Sequence, residues 1–355
     1  MNHFPKIAIG CLLLACGLLA SMAWGTEKIL PGKPNELTRS ALKINEAMAD
    51  KLGLTFETAE IEIDGLTRDY HFLWIADLHV IGEDLGEVAE KNLAIVRSRI
   101  NDTFRNPHSG LTSLEIWQQL PEVMNQSGAD GVLFGGDICD IATLSSLQAL
   151  KEGMARLTIP FMYVRADHDV SPWWLATNNV AEIAASHQMI CDNEPLLAME
   201  FPDLLVVGWN NSTGNLAEEG LRHFKELCAK GKPIILVTHV PLQSKAEESF
   251  DALCRANDSQ GRSLLWGSEN NLYVPNETTQ EFLDMVYAEK SPVKAVLAAH
   301  LHFGWHGMLT TDVSMHLFIP ALQGNIGVVH LKAKNAPRRR GFRAWLRRLS
   351  GREKR

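Results

Sequence analysis

No two cysteines in this chain are spaced as a pair of metal ligands. The six are Cys11, Cys16, Cys139, Cys191, Cys228 and Cys254, with no C-x-x-C among them, which argues against a structural zinc–thiolate site. Two fall in an apolar N-terminal run. The other four suit buried free thiols, and in an exported chain a Cys191–Cys228 or Cys228–Cys254 bridge stays open. Positive charge is scarce over most of the length. The net charge is -8, yet residues 332–355 hold 11 Lys or Arg against one acid, Glu353, which leaves 23 basic and 41 acidic groups in residues 1–331. A body with that balance has no basic footprint, so no nucleic-acid partner is expected. Low-complexity breaks are missing as well, and residues 26–333 read as one domain.

Against these absences, one arrangement occurs five times. A short apolar run, of a length for a strand covered on both faces, ends in Asp or His. His71-Phe72-Leu73-Trp74-Ile75-Ala76 runs into Asp77-Leu78-His79, and Gly131-Val132-Leu133-Phe134-Gly135-Gly136 into Asp137-Ile138-Cys139-Asp140. Ile159 to Val164 leads through Arg165 and Ala166 to Asp167-His168-Asp169. Pro233 to Thr238 leads to His239-Val240-Pro241, and Val293 to Ala299 to His300-Leu301-His302. In open α/β sheets ligands sit beyond the carboxyl ends of strands, so five such ends predict one shared metal site. Carboxylate oxygen and imidazole nitrogen, without thiolate, suit Mn, Fe, Zn or Ni.

Between these runs the spacing predicts helices at about Gly86–Arg99, Ser113–Ser127, Leu144–Leu157 and Leu216–Lys230, after a lead-in helix from about Asn35 to Leu52. Strands alternating with helices indicate layered α/β construction. Phe56 to Ile63 alternates as a half-exposed strand, Leu196–Phe201 and Leu204–Trp209 read as a hairpin, and Met315–Ile319 and Ile326–Lys332 as late strands, so a mixed sheet is expected. Residues 242–290 are the longest interval without a candidate ligand. In it Thr278 and Glu281 read as a capping box, and the stretch before them is the candidate substrate-facing loop.

The two ends differ from the body. Residues 1–25 contain an apolar run, Ile7 to Trp24, followed by small residues, the shape of a signal peptide or a retained membrane anchor. Lipidation at Cys16 is a third option. Either way an exported, periplasmic, cell-envelope or membrane-associated location is expected. Residues 334–355 place Phe342, Trp345, Leu346 and Leu349 at helical spacing among arginines, which suits contact with an anionic membrane surface.

Asp77-x-His79, Gly136-Asp137-x-x-Asp140, Asp167-His168-Asp169, His239 with Pro241 and His300-x-His302 together resemble the calcineurin-like metallophosphoesterase superfamily, over about Tyr70 to Gly304. The resemblance implies an α/β fold, a four-layer α/β/β/α sandwich with two mixed β-sheets. It implies two divalent metal ions, one held by Asp77, His79 and His302 and one by Asp167, His239 and His300, with Asp137 bridging. It further implies a phosphate-ester substrate, attack by a metal-bridging hydroxide, His168 assisting the leaving group and Asp140 orienting His168. Two departures accompany it. Asp167 stands where the family usually has Asn, an added charge that implies tighter cation binding and weaker electrophilicity; a scaffold or binding protein with little turnover is the alternative it raises. Ala299 stands where Gly is usual. His71, His108, His187, His223, His316 and His330 read as structural; His306, four past His302, is a weaker candidate for an outer partner of the site, and Trp173-Trp174 reads as core packing ahead of lining the substrate mouth.

Overall fold

The computed structural model describes residues 42–176, 183, 194, 196–267 and 272–334. The N-terminal apolar run, the basic tail after Lys334, Cys191 and His187 lie outside the described residues. Eleven strands fall within them: β1 Thr55–Ile63, β2 Tyr70–Ile75, β3 Gly131–Phe134, β4 Phe161–Tyr163, β5 Leu196–Glu200, β6 Leu205–Trp209, β7 Ile234–Thr238, β8 Val293–Ala298, β9 Trp305–Met308, β10 Ser314–Leu317 and β11 Asn325–Ala333. They form a five-stranded sheet in the order β1-β11-β2-β3-β4 and a six-stranded sheet in the order β5-β6-β7-β8-β10-β9. Both are mixed. β2, β3 and β4 are parallel and β11 runs against β2; β6, β7, β8 and β10 are parallel, with antiparallel β5 and β9 at the two edges.

Alternation along each strand builds the layers. In β2, Phe72 and Trp74 join Leu133, Met162, Val206, Ile235, Leu297 and Val329 in a core between the two sheets. Leu73 and Ile75 point the other way, against Trp117, Leu147 and Leu150 of the helices covering the first sheet. On the far side, Val207, Trp209, Leu236 and Val296 pack against Phe224, Phe250 and Phe282. The result is a four-layer α/β/β/α sandwich. Because helices cover one face of each sheet and the partner sheet the other, the central strands β3, β6 and β7 are buried at every position.

Several sequence expectations change. The lead-in helix is Glu46–Leu52, because the Asn45 side chain accepts from Met48 N at 3.2 Å and caps it there. The expected helix over Ser113–Ser127 is two helices, Ser113–Trp117 and Leu120–Gln126, the second carrying Pro121 in its first turn. Gly86–Arg99 contains only a short helix, Leu93–Ser98, which widens into a π turn over Arg99–Thr103. In the 242–290 interval a helix at Glu248–Asn257 escaped the spacing, and the helix Glu277–Tyr287 is capped by Asn276, which accepts from Thr279 N at 2.8 Å; the expected box at Thr278 does not form. β9 was also unexpected. In β1, Glu57 lies on the same face as Ala59, Ile61 and Ile63 and is buried with them. Cys139, Cys228 and Cys254 are free thiols, so there is no Cys228–Cys254 bridge. No helix among the described residues is long and apolar enough to cross a membrane.

Candidate metal centre

The five predicted strand ends converge at one end of the sandwich. Two come from the first sheet after β2 and β3, a third after β4, and two from the second sheet after β7 and β8. The turns that deliver them are unusual. Seven non-glycine residues among those described have a left-handed backbone, and five are Asp77, His79, Asp137, His300 and His302, with φ between 51° and 72°. Such a conformation costs about 1–3 kcal/mol per residue and persists only where the surroundings enforce it. Enforcement is visible in the backbone: Asp77 N donates to Gly136 O at 2.9 Å, His79 N to Asp137 O at 3.0 Å, and Ala299 N to His239 O at 2.9 Å.

Gly136 explains the tight turn. It has φ 93°, and a Cβ there would lie 2.7 Å from His239 Nδ1 and 2.8 Å from Ala166 Cβ. Only glycine lets His239 approach from the opposite sheet. His239 Nδ1 then reaches Gly135 O at 2.8 Å, leaving Nε2 3.3 Å from Asp137 Oδ2.

Ligand-type atoms gather in overlapping groups. Asp77, His79 and His302 offer one set, and Asp77, Asp137 and His239 another, the atoms of each set lying within 4.8 Å of one another. His300 Nδ1 is 3.3 Å from His239 Nε2, and His79 Nε2 is 3.3 Å from His302 Nε2. Asp167 joins through a shared donor: His168 N lies 3.1 Å from Asp167 Oδ1 and 3.3 Å from Asp137 Oδ1. All nine residues singled out from the sequence are thus brought together.

The donor set fits cations better than it fits itself. Both oxygens of the buried Asp77 carboxylate, and Nε2 of His300, are buried without a well-formed hydrogen bond; His302 Nε2 is 3.3 Å from Asp77 Oδ1. Unpartnered buried polar atoms are costly, and ring nitrogens facing one another leave lone pairs unused. Electrostatics follow the same pattern. Burial alone would raise Asp137, but His239 and His168 outweigh it and hold the carboxyl well below the usual carboxylate range. Burial would lower His239, yet Asp137 and Asp77 push it up to about 10. Burial and the neighbouring His239 push His300 down to about 3.

Beside this cluster stands His168. Its Nδ1 is 3.2 Å from Asp140 Oδ1 and 3.0 Å from Asp140 O. Burial opposes its charge, but Asp137, Asp140 and Asp167 raise it to about 10. Asp140 also takes His79 Nδ1 at 3.0 Å, so one carboxylate orients two imidazoles.

Three residues here had no signal strong enough to find them from sequence, Arg99, Asn211 and Tyr273, and a fourth, Asp169, stood in a quoted motif without an assigned role. Arg99, delivered by the π turn, donates Nε to Asp140 Oδ2 at 2.8 Å and Nη2 to Oδ1 at 2.5 Å, with Phe104 beneath its guanidinium at 4.5 Å. Asp169 is fully buried and accepts from Asp137 N, Cys139 N, Ala166 N and Tyr163 Oη, tying the β3 turn to the β4 turn. Asn211 takes His239 N and Val240 N on one oxygen, at 3.2 and 2.9 Å. Tyr273, from the stretch expected to face substrate, sets its ring edge-on to His300 at 5.9 Å and shares Ser212 with Asp167. Trp173 is corrected too: it is 44% exposed, with its ring edge-on to His168 at 5.1 Å, and does not sit in the core. Trp174 does pack inward, against the small cluster that contains Ile81, Val88 and Phe104. His306 lies apart from the metal cluster, stacked on His316 at 6.2 Å.

Residues 70–304 match the family model of the calcineurin-like phosphoesterases. The chain belongs to that family. No curated protein sequence matches it. Among solved structures it is similar to a dimetal phosphatase from Danio rerio, at 14% identity, a TM-score of 0.40, 72% of this chain and 88% of that one. It is similar to a purple acid phosphatase from yellow lupin at 13% identity and a TM-score of 0.40, covering 78% of this chain but only 46% of the lupin one. The phosphopantetheinyl hydrolase of Mycobacterium tuberculosis is 13% identical, with a TM-score of 0.38 over 79% of this chain and 95% of that one. For this calcineurin-like phosphoesterase the fold assignment rests on its own strand order and layers.

Proposed function

We propose that this protein hydrolyses phosphate esters with two divalent cations, drawn from Mn, Fe, Zn or Ni, at the converging strand ends. The observation that carries the proposal is Asp77, a buried carboxylate that His302 and His239 keep ionised against the effect of burial, with only a 3.3 Å approach of His302 Nε2 to Oδ1 and no well-formed hydrogen bond on either oxygen. Cations remove that cost. Asp77, His79 and His302 would hold one, and Asp167, His239 and His300 the other, with Asp137 shared. When bound, the pair supplies positive charge that acidifies water and clamps the phosphoryl oxygens for in-line displacement. His79 and His239 are prepared as ligands, because the Nδ1 of each is engaged by Asp140 or Gly135 O and Nε2 is left for the cation. The proton that His239 holds without metal leaves on binding.

His168 is placed for the leaving oxygen. Asp140 holds its Nδ1 and favours the charged ring, which leaves Nε2 to carry the proton. As water's oxygen bonds to phosphorus and the P–O ester bond breaks, that proton passes to the departing alkoxide. The intact His168–Asp140–Arg99 chain argues for turnover and against a scaffold that has lost it. An exported location follows only from the sequence of residues 1–25, and mass spectrometry of the mature N-terminus tests it.

The deciding experiment loads the purified protein with manganese, iron or zinc, counts bound metal, and assays mono- and diesters beside His168→Ala and Asp137→Asn. We expect two metals per chain and loss of turnover in both variants. Parent-level rates in the variants would overturn these roles.

A further inference from the structure

Resting on the phosphoesterase reading, we infer that the site selects phosphodiesters over phosphomonoesters, because Asp167 adds a third carboxylate to the cation sites and an apolar rim flanks them.

The charge count comes first. His168 N sits within 3.3 Å of a carboxylate oxygen from both Asp137 and Asp167, so those two charges share one small space. With Asp77 they make three carboxylates against two divalent cations, and neutral imidazoles add nothing. One net positive charge remains on the cation sites themselves to receive the phosphoryl group and its nucleophile, and the charge of the His168 ring beside them is paired with Asp140. Two guanidiniums among the described residues are already engaged. The Arg99 guanidinium spends Nε and Nη2 on Asp140, and Arg262 spends Nε and Nη2 on Asp258 at 3.1 and 3.2 Å. Tyr273 contributes a hydroxyl that burial, Asp167 and Asp137 keep protonated, a donor without charge. A monoester brings two negative charges at neutral pH and a diester one. The second charge meets the Asp167 carboxylate a few ångströms off, an interaction large enough for about tenfold discrimination or more.

The rim is independent of that count. On the His168 side, Trp173 is 44% exposed. On the His300 side, Tyr273 sets its half-buried ring edge-on to His300 at 5.9 Å. A diester has a second substituent to lay on such a surface, and a monoester has none.

The test uses the manganese-loaded protein and three compounds with the same leaving group: p-nitrophenyl phosphate, bis(p-nitrophenyl) phosphate and p-nitrophenyl phenylphosphonate, the last a singly charged ester. The parent should favour the diester in kcat/KM, with the phenylphosphonate ranking beside it. Asp167→Asn with both metals retained should move the diester-to-monoester ratio about tenfold or more toward the monoester. Calorimetry reads the same selection without turnover: diphenyl phosphate should bind the parent ahead of inorganic phosphate, and the variant should narrow the gap. A parent that prefers the monoester, a phenylphosphonate that ranks with it, or an unmoved ratio in the metal-replete variant overturns the inference. If the variant loses metal, the phenylphosphonate ranking in the parent decides. If metal binds and no ester is cleaved, the phosphoesterase reading falls, and the calorimetric order still decides the selection.

Discussion

Two kinds of histidine share this molecule. His79, His168, His239, His300 and His302 stand beyond strand ends, three of them at or beside left-handed turns, among buried carboxylates. His71 and His330 are partners across β2 and β11, rings stacked at 4.6 Å, and His306 and His316 are partners across β9 and β10. Both kinds are close pairs of imidazoles. They differ in what surrounds them. The strand-end rings face buried carboxylates across 3.3 Å, whereas His330 meets Glu60 and Asp69, both more than a third exposed, at 3.5 and 3.6 Å. Proximity of histidines is therefore no guide to chemistry; strained backbone plus unpartnered buried charge is.

The sharpest way to break the contrast is Asp137→Asn. It should abolish stoichiometric metal uptake, measured by elemental analysis, and lower turnover beyond the ~10–100-fold that losing an outer partner costs. Arg99→Met and Asp140→Asn probe that outer layer, and each should lower kcat by about 10–100-fold with the metal count kept. Gly136→Ala should cost roughly 3 kcal/mol in urea unfolding, since its Cβ would press on His239 and Ala166 from a left-handed backbone.

A pH test separates the cluster from an isolated buried acid. Burial raises Glu57 from 4.5 to about 7, against lowering contacts from Ile319 N and Asn325. The folded state holds this proton more tightly than the unfolded chain, so the stability it contributes is complete below pH 4.5 and is lost as pH rises through about 7. Glu57→Gln should remove about 3 kcal/mol of that slope, seen as the difference between parent and variant in urea titrations from about pH 5 to about pH 8. At the small end, His71→Gln should leave metal content and turnover unchanged and shift stability by no more than about 0.5 kcal/mol.

The chain alone located the candidate ligands. Asp77, Asp137, Asp167, His239 and His300 each follow an apolar run, and a strand buried on both faces can write itself no other way, so the runs and their end residues were readable together. It also determined the layers, because the helix patterns alternate with the runs. What only the tertiary structure decided depends on long-range contact. Arg99 looked like any helical arginine until a π turn set it on Asp140, 41 residues away. Glu57 gave no sign in the sequence of the partners it finds in the segment at Ile319 to Asn325, where Ile319 N donates at 3.0 Å and Asn325 Nδ2 at 3.3 Å. Trp173 and Tyr273 reach the site from loops, whose paths no periodicity encodes. Local pattern is written by which faces a segment must bury; the second circle of partners is written by packing between segments far apart in the chain, and packing is a property of the folded whole.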